Sequence, residues 1–122
     1  MTSSYSMKGY AGHRPGNDLG VISPTAALSS MPYTPKESKA FLKHLYTDLD
    51  TLVGTYGPYD AFSLEEDWYL PRYLAIDQGP IPVMIENCRS GLLWDLFMNN
   101  EDVLNGLRKL GFSSPYLKTE ED

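Results

Sequence analysis

The sequence lacks most of the features that announce a function. It has one cysteine, Cys88, so an intrachain disulfide is excluded. Lysine and arginine are neither abundant nor clustered: 10 of them face 16 acidic residues, a net charge of −6 with a pI of about 4.8. No basic stripe exists, and nucleic acid is not an expected partner. No apolar run reaches the ~18 residues of a membrane-spanning helix, so no membrane partner is expected either. The opening Met1-Thr-Ser-Ser-Tyr-Ser6 lacks the basic-then-apolar layout of a signal peptide, which leaves localisation open. There is no glycine-rich phosphate loop, no nucleophile elbow and no cluster with metal-ligand spacing, so neither a metal nor another cofactor is expected. His13, beside Arg14, Pro15 and Gly16, reads as a surface residue. No segment alternates like a strand, and no internal repeat is present.

What is present is helical. Residues 1–22 are rich in turn formers and read as an N-terminal loop; 23–113 carry the helical pattern; 114–122 end in the acidic Thr119-Glu-Glu-Asp122. Ser23-Pro24 predicts an N-cap followed by proline at the first helical position, opening a short helix to about Ser30. Thr34-Pro35-Lys36-Glu37 predicts a capping box. Behind it Ala40, Phe41, Leu45, Leu49, Leu52 and Val53 recur at helical spacing until Gly54 or Gly57, with charged residues on the other face. Tyr56 to Arg72 has no period and crowds aromatics with acids, as a long ordered loop would. A last helix is expected from Asn99 or Asn100, with Val103, Leu104, Leu107 and Leu110 on one face and Gly111 at its end.

The most informative stretch is Asp77 to about Met98. Ile81, Val83, Met84, Ile85, Cys88, Leu92, Leu93, Trp94, Leu96 and Phe97 cannot share one stripe of a helix. A helix apolar all round is normally enclosed by protein. Glu86, Asn87 and Arg89 sit inside it, where an unpaired charge would cost several kcal/mol. The pattern predicts an inner helix of a layered all-α protein whose polar residues face a lined cavity.

Several runs in fixed order carry a resemblance: Ile22-Ser-Pro-Thr-Ala-Ala-Leu-Ser-Ser-Met-Pro-Tyr-Thr-Pro35, Tyr56-Gly-Pro-Tyr-Asp-Ala-Phe62, Tyr73-Leu-Ala-Ile-Asp-Gln-Gly-Pro80 through Phe97, and Leu110-Gly-Phe112. They resemble the C-terminal part of the glycoamylase-like family of bacterial glycoside hydrolases, which includes endo-β-1,2-glucanases and parts of cyclic β-1,2-glucan synthases. The likeness runs from about Tyr10 to Phe112. Pro58 and Pro82 depart from the Phe and Val expected there, and Cys88 from Tyr. The resemblance implies an (α/α)6 toroid, of which about four helices with long loops, roughly the last third, would be present. It also implies a β-glucan substrate, with the β-1,2 linkage expected.

Glycoside hydrolysis uses two carboxyl groups, one protonated and one ionised. Asp77 is placed at a helix N-terminus, where the dipole favours the ionised form; it is a plain N-cap, or a base acting through water. Asp60, in Tyr59-Asp-Ala-Phe62, is an Asx-turn residue, or it contacts sugar and shares the catalytic work. Glu86 lies nine residues beyond Asp77, and Arg89 three beyond Glu86. These two form a buried ion pair or order the cleft. Tyr56, Tyr59, Phe62, Trp68, Tyr69 and Tyr73 are packing residues or flat rings for sugar faces, with Tyr59 and Trp68 the chosen sugar contacts. The resemblance assigns the general acid to helices outside this chain, so the chain alone is expected to be inactive. The alternative is a non-catalytic helical module, or a truncated gene product, that self-associates through an exposed apolar face.

Overall fold

A computed structural model describes residues 15–16, 18 and 20–114. His13 and the acidic tail lie outside the described residues. The chain divides into two compact units, one ending at Ile85 and the other beginning at Glu86.

In the first unit, α1 (Pro24–Leu28) starts on a proline, whose missing N–H has no intrahelical partner to lose. Turns through Thr34 lead into α2 (Pro35–Thr47). The expected capping box does not form: Thr34 makes no cap bond, and its hydroxyl donates to the Ser30 carbonyl at 3.2 Å. Ser38, one turn into α2, is buried and donates to the Ala27 carbonyl at 2.8 Å, which ties α1 to α2.

The apolar stripe of α2 packs as its spacing predicts. Leu45 is fully buried and joins Leu28, Leu52, Phe62 and Ile81 in one core, flanked by Phe41, Leu42, Leu49, Val53 and Ile85. Ala40, expected on that stripe, is exposed. The helix also stops earlier than expected, at Thr47, and a 3-10 turn (Asp50–Leu52) carries the chain into extended backbone.

That backbone corrects the reading of 56–72 as a loop without strands. β1 (Val53–Gly54) pairs with β2 (Gly57–Pro58), and β3 (Ala61–Ser63) with β4 (Trp68–Leu70), both antiparallel. Strands of two or three residues are too short to show a period of two. Ile22 bridges to Phe62 through reciprocal backbone bonds of 2.7 and 3.0 Å, so β3 gains a one-residue partner on its other side. The β3–β4 turn ends at Asp67 with φ of 44°, a conformation aspartate tolerates better than most residues.

The helix expected from Asp77 to Met98 is three helices: α3 (Ala75–Gln78), α4 (Pro80–Ser90) and α5 (Leu92–Met98). The first break falls at Gly79-Pro80, where proline removes a backbone donor. The second is Gly91, whose φ of 73° is left-handed and open to glycine at no steric cost. Nor is the rod enclosed. Of its residues only Ile81 and Asn87 are buried, while Val83, Leu92, Leu96 and Phe97 are exposed.

In the second unit, Asn87 explains one buried polar group. Its Oδ1 accepts from the backbone N–H groups of Leu93 and Trp94 at 3.0 and 3.1 Å, capping α5 from outside the helix. The last helix, α6 (Glu101–Lys109), begins as expected. Asn100 Oδ1 accepts from Asp102 and Val103, and Gly111 follows the end with φ of 73°. Asn87→Ala should therefore cost about 1–3 kcal/mol, since two N–H groups lose their acceptor. Asn100→Ala, at an exposed cap, should cost about 0.5–2 kcal/mol. Urea melts of both variants check the order; equal losses would deny Asn87 its capping role.

Candidate functional site

The two aspartates singled out in the sequence come together. Asp60 precedes β3 and is 4% exposed. Asp77 sits in the single turn of α3, half-buried. Their carboxyl groups lie within hydrogen-bonding reach of each other. Burial pushes the Asp77 carboxyl above the usual carboxylate range, and the hydrogen bond and negative charge of Asp60 push it further. This corrects the expectation of a helix N-terminus holding Asp77 ionised. The N-cap position is occupied by Leu74, and α3 is one turn long, too short for a large dipole. The N-cap role is therefore not Asp77's.

The backbone around the pair is cross-linked. Asp60 N–H donates to the Arg72 carbonyl at 3.1 Å, and Gln78 Nε2 donates to the Pro58 carbonyl at 2.8 Å. Ser23 Oγ donates to the Asp60 carbonyl at 3.1 Å, and Thr25 Oγ1 to the Asp77 carbonyl at 2.6 Å. Sequence reasoning missed these hydroxyls, since nothing in Ser23-Pro24-Thr25 marks a partner 37 or 52 residues away.

Next in sequence to Asp60 is Tyr59, one member of a tyrosine cluster. Tyr59 stacks on Tyr69 with ring centres 5.7 Å apart and planes 12° from parallel. Tyr73 is tilted against Tyr59 at 5.5 Å and meets Tyr56 edge-on at 5.3 Å. Burial among these rings raises the Tyr59 phenol, with Tyr73 and then Tyr69 adding to it, so it remains a hydrogen-bond donor. Tyr69 is 45% and Tyr56 76% exposed, which leaves ring surface open to a ligand.

Gly54 makes the cluster possible. A Cβ there would overlap the Tyr73 hydroxyl and lie 2.8 Å from the Tyr59 ring. Gly54→Ala should displace both rings and cost about 1–3 kcal/mol, the usual range for overpacking. A melting temperature unchanged from wild type would show that the cluster has slack.

Trp68 shares a cavity with one of the tyrosines. It lines a cavity of about 180 Å³ with Leu49, Thr51, Leu52, Asp67 and Tyr69 among others. Glu86 and Arg89 do pair, at 3.0 Å, but Arg89 is 74% exposed. The pair is a surface i,i+3 contact, not the buried one expected, and such pairs contribute little. Glu86 does not share a helix with Asp77 either, so the nine-residue register does not apply.

The sequence profile of the family described as "Putative glucoamylase" matches residues 1–101. The chain belongs to this family. It is similar to an exo β-1,2-glucooligosaccharide sophorohydrolase of Parabacteroides distasonis, 43% identical over 79% of this chain and 14% of that protein. Among solved structures it is similar to an endo-β-1,2-glucanase of Chitinophaga pinensis complexed with sophorotriose and glucose. That match is 65% identical with a TM-score of 0.81, over 85% of this chain and 25% of that one. A "putative glucoamylase" of Bacteroides uniformis matches at 60% identity and a TM-score of 0.84, over 88% and 26%. The chain thus spans about a quarter of the length of these glucanase-family structures.

Proposed function

We propose that the chain forms one wall of a glycoside hydrolase site acting on β-1,2-linked glucans, within a partial (α/α)6 toroid. The observation that carries this reading is the Asp60–Asp77 pair beside the tyrosine cluster, in a chain whose relatives bear β-1,2-glucanase and sophorohydrolase names. The contact between the two carboxyls supports a shared role. Carboxyls that flank one glycosidic bond stand about 5–5.5 Å apart in retaining enzymes and about 6.5–9.5 Å apart in inverting ones. Two carboxyls that hydrogen-bond each other are closer than either. Asp60 and Asp77 therefore act as one arm: Asp77 is the working group, and Asp60 raises its basicity. A base whose proton affinity is raised towards the working pH takes a proton from water more effectively. The opposing carboxyl comes from outside these residues. Tyr59 and Tyr69 offer flat faces to a glucose ring, and Trp68 a further one on the hairpin.

Two measurements test this. The purified chain should release no reducing sugar from β-1,2-glucan, because one arm of the acid–base pair is missing; robust turnover would overturn the division of roles. Sophorotriose should perturb the NMR signals of Tyr59, Tyr69 and Asp77 together. Perturbation of none of them would remove the case for a sugar site.

A second reading rests on the second unit. Leu92, Leu96, Phe97, Leu110 and Phe112 are between 48% and 74% exposed. Large apolar side chains exposed in number, where they form one patch, mark an interface. Sedimentation decides between the readings: self-association through this face appears as a concentration-dependent oligomer, and a monomer argues against it.

A further inference from the structure

Ser23 is the N-cap residue of α1, yet its hydroxyl makes no cap bond. A serine there ordinarily accepts from the second or third N–H of its own helix, worth about 1 kcal/mol. Here the hydroxyl instead donates to the Asp60 carbonyl at 3.1 Å. Two residues on, Thr25 Oγ1 donates to the Asp77 carbonyl at 2.6 Å and sits 3.1 Å from Ser29 Oγ. A threonine hydroxyl has one proton, and the Asp77 carbonyl takes it, so Ser29 is the donor in the second contact. The result is a relay from Ser29 through Thr25 to Asp77. Between Ser23 and Thr25 stands Pro24, fully buried, whose ring fixes its backbone angle. One residue before them, Ile22 is bonded twice to Phe62. Within four consecutive residues, the start of α1 grips the chain on both sides of the acid pair.

We propose that Ser23 and Thr25 are positioning residues: each holds the backbone of one aspartate, and together they keep the two carboxyl groups within hydrogen-bonding reach. This inference rests on the reading of Asp60 and Asp77 as a working pair. It adds that the pairing is imposed from α1 and is not a by-product of the local hairpin. Hydroxyl donors suit the task, because a neutral donor fixes the carbonyl without adding charge that would drain the pair's proton affinity.

The test is a carboxyl-carbon NMR titration of the 122-residue chain, which needs neither substrate nor turnover. Thr25→Val removes the donor at constant shape, and should move the Asp77 titration down towards the ordinary carboxylate value. Thr25→Ser, which keeps the hydroxyl, should restore it. A purely packing role for Thr25 would predict the opposite ranking, with valine tolerated and serine not. Ser23→Ala should give the same downward shift from the Asp60 side, and it keeps the inference testable should Thr25→Val fail to fold. Asp60→Asn separates the two levels of the argument. If it lowers the Asp77 titration while Thr25→Val and Ser23→Ala leave it unchanged, the pair is real and the positioning role is refuted. If Asp60→Asn also changes nothing, the pair itself is absent, and the proposed site falls with it.

Discussion

Replacing the matching quarter of the Chitinophaga pinensis endo-β-1,2-glucanase with this chain should give an active enzyme, and Asp77→Asn in that chimaera should nearly silence it. The exchange is reasonable on physical grounds. The two segments are 65% identical with a TM-score of 0.81, so the apolar surface of this chain should meet complementary neighbours. If Asp77 takes the proton from the attacking water, an asparagine there cannot. General base catalysis is typically worth about 10²- to 10⁴-fold, and kcat should fall within that range with KM little changed. Asp60→Asn should cost less, because it lowers the basicity of Asp77 without removing the base. A chimaera in which Asp77→Asn keeps more than about a third of wild-type kcat would not be using Asp77 as its base.

The same aspartate gives the isolated chain a pH signature whose sign follows from its raised proton affinity. The folded state holds the Asp77 proton more tightly than the unfolded state, where an aspartate titrates near about 3.9. The folded state is therefore favoured below that value, and the advantage is lost as pH rises through the higher folded value. Asp77→Asn abolishes this term. Its melting temperature should gain on wild type as pH rises above the ordinary carboxylate value, and run parallel to it once pH has passed the raised folded titration. A carboxyl group whose ionisation the fold opposes behaves in this way.

The sequence exposed the chemistry of the site more plainly than its scaffold. Asp60 and Asp77 were both legible as candidates, and so was the cluster of Tyr56, Tyr59, Tyr69 and Tyr73, because residue type alone marks them. The direction of the Asp77 shift was not legible. It depends first on burial and then on Asp60, 17 residues earlier in the chain, and only tertiary structure brings either about. The stripe on α2 and the caps at Asn100 and Gly111 followed from spacing, since both are local rules. The short hairpins did not, because pairing of two or three residues leaves no period to read. The reading of 77–98 as one enclosed rod failed for a different reason. It took hydrophobicity on every side as a sign of enclosure, whereas Leu92, Leu96 and Phe97 are exposed among the described residues. It also passed over Gly79-Pro80 and Gly91, which divide the rod. Of its polar trio, Asn87 caps a helix and Glu86–Arg89 is a surface pair.

The largest loss of stability should come from Phe62→Ala, and it should disarm the site as well. Phe62 is 2% exposed and lies in one core with Leu28, Leu45, Leu52 and Ile81. Truncating a buried phenylalanine typically costs about 3–5 kcal/mol, part of it transfer free energy and part the cavity left behind. A domain of this size has about 5–15 kcal/mol in total, so the variant should be close to unfolded at 37 °C. Phe62 is also the residue through which β3 bridges to Ile22 and faces Tyr69, two positions after Asp60. A collapse around the cavity would drag both the acid pair and the stacked tyrosines. Phe62→Leu, which keeps most of the volume, should cost less than half as much and leave the Asp77 titration near its wild-type position. A urea midpoint for Phe62→Ala within about 1 kcal/mol of wild type would mean that the core does not support the site from this side.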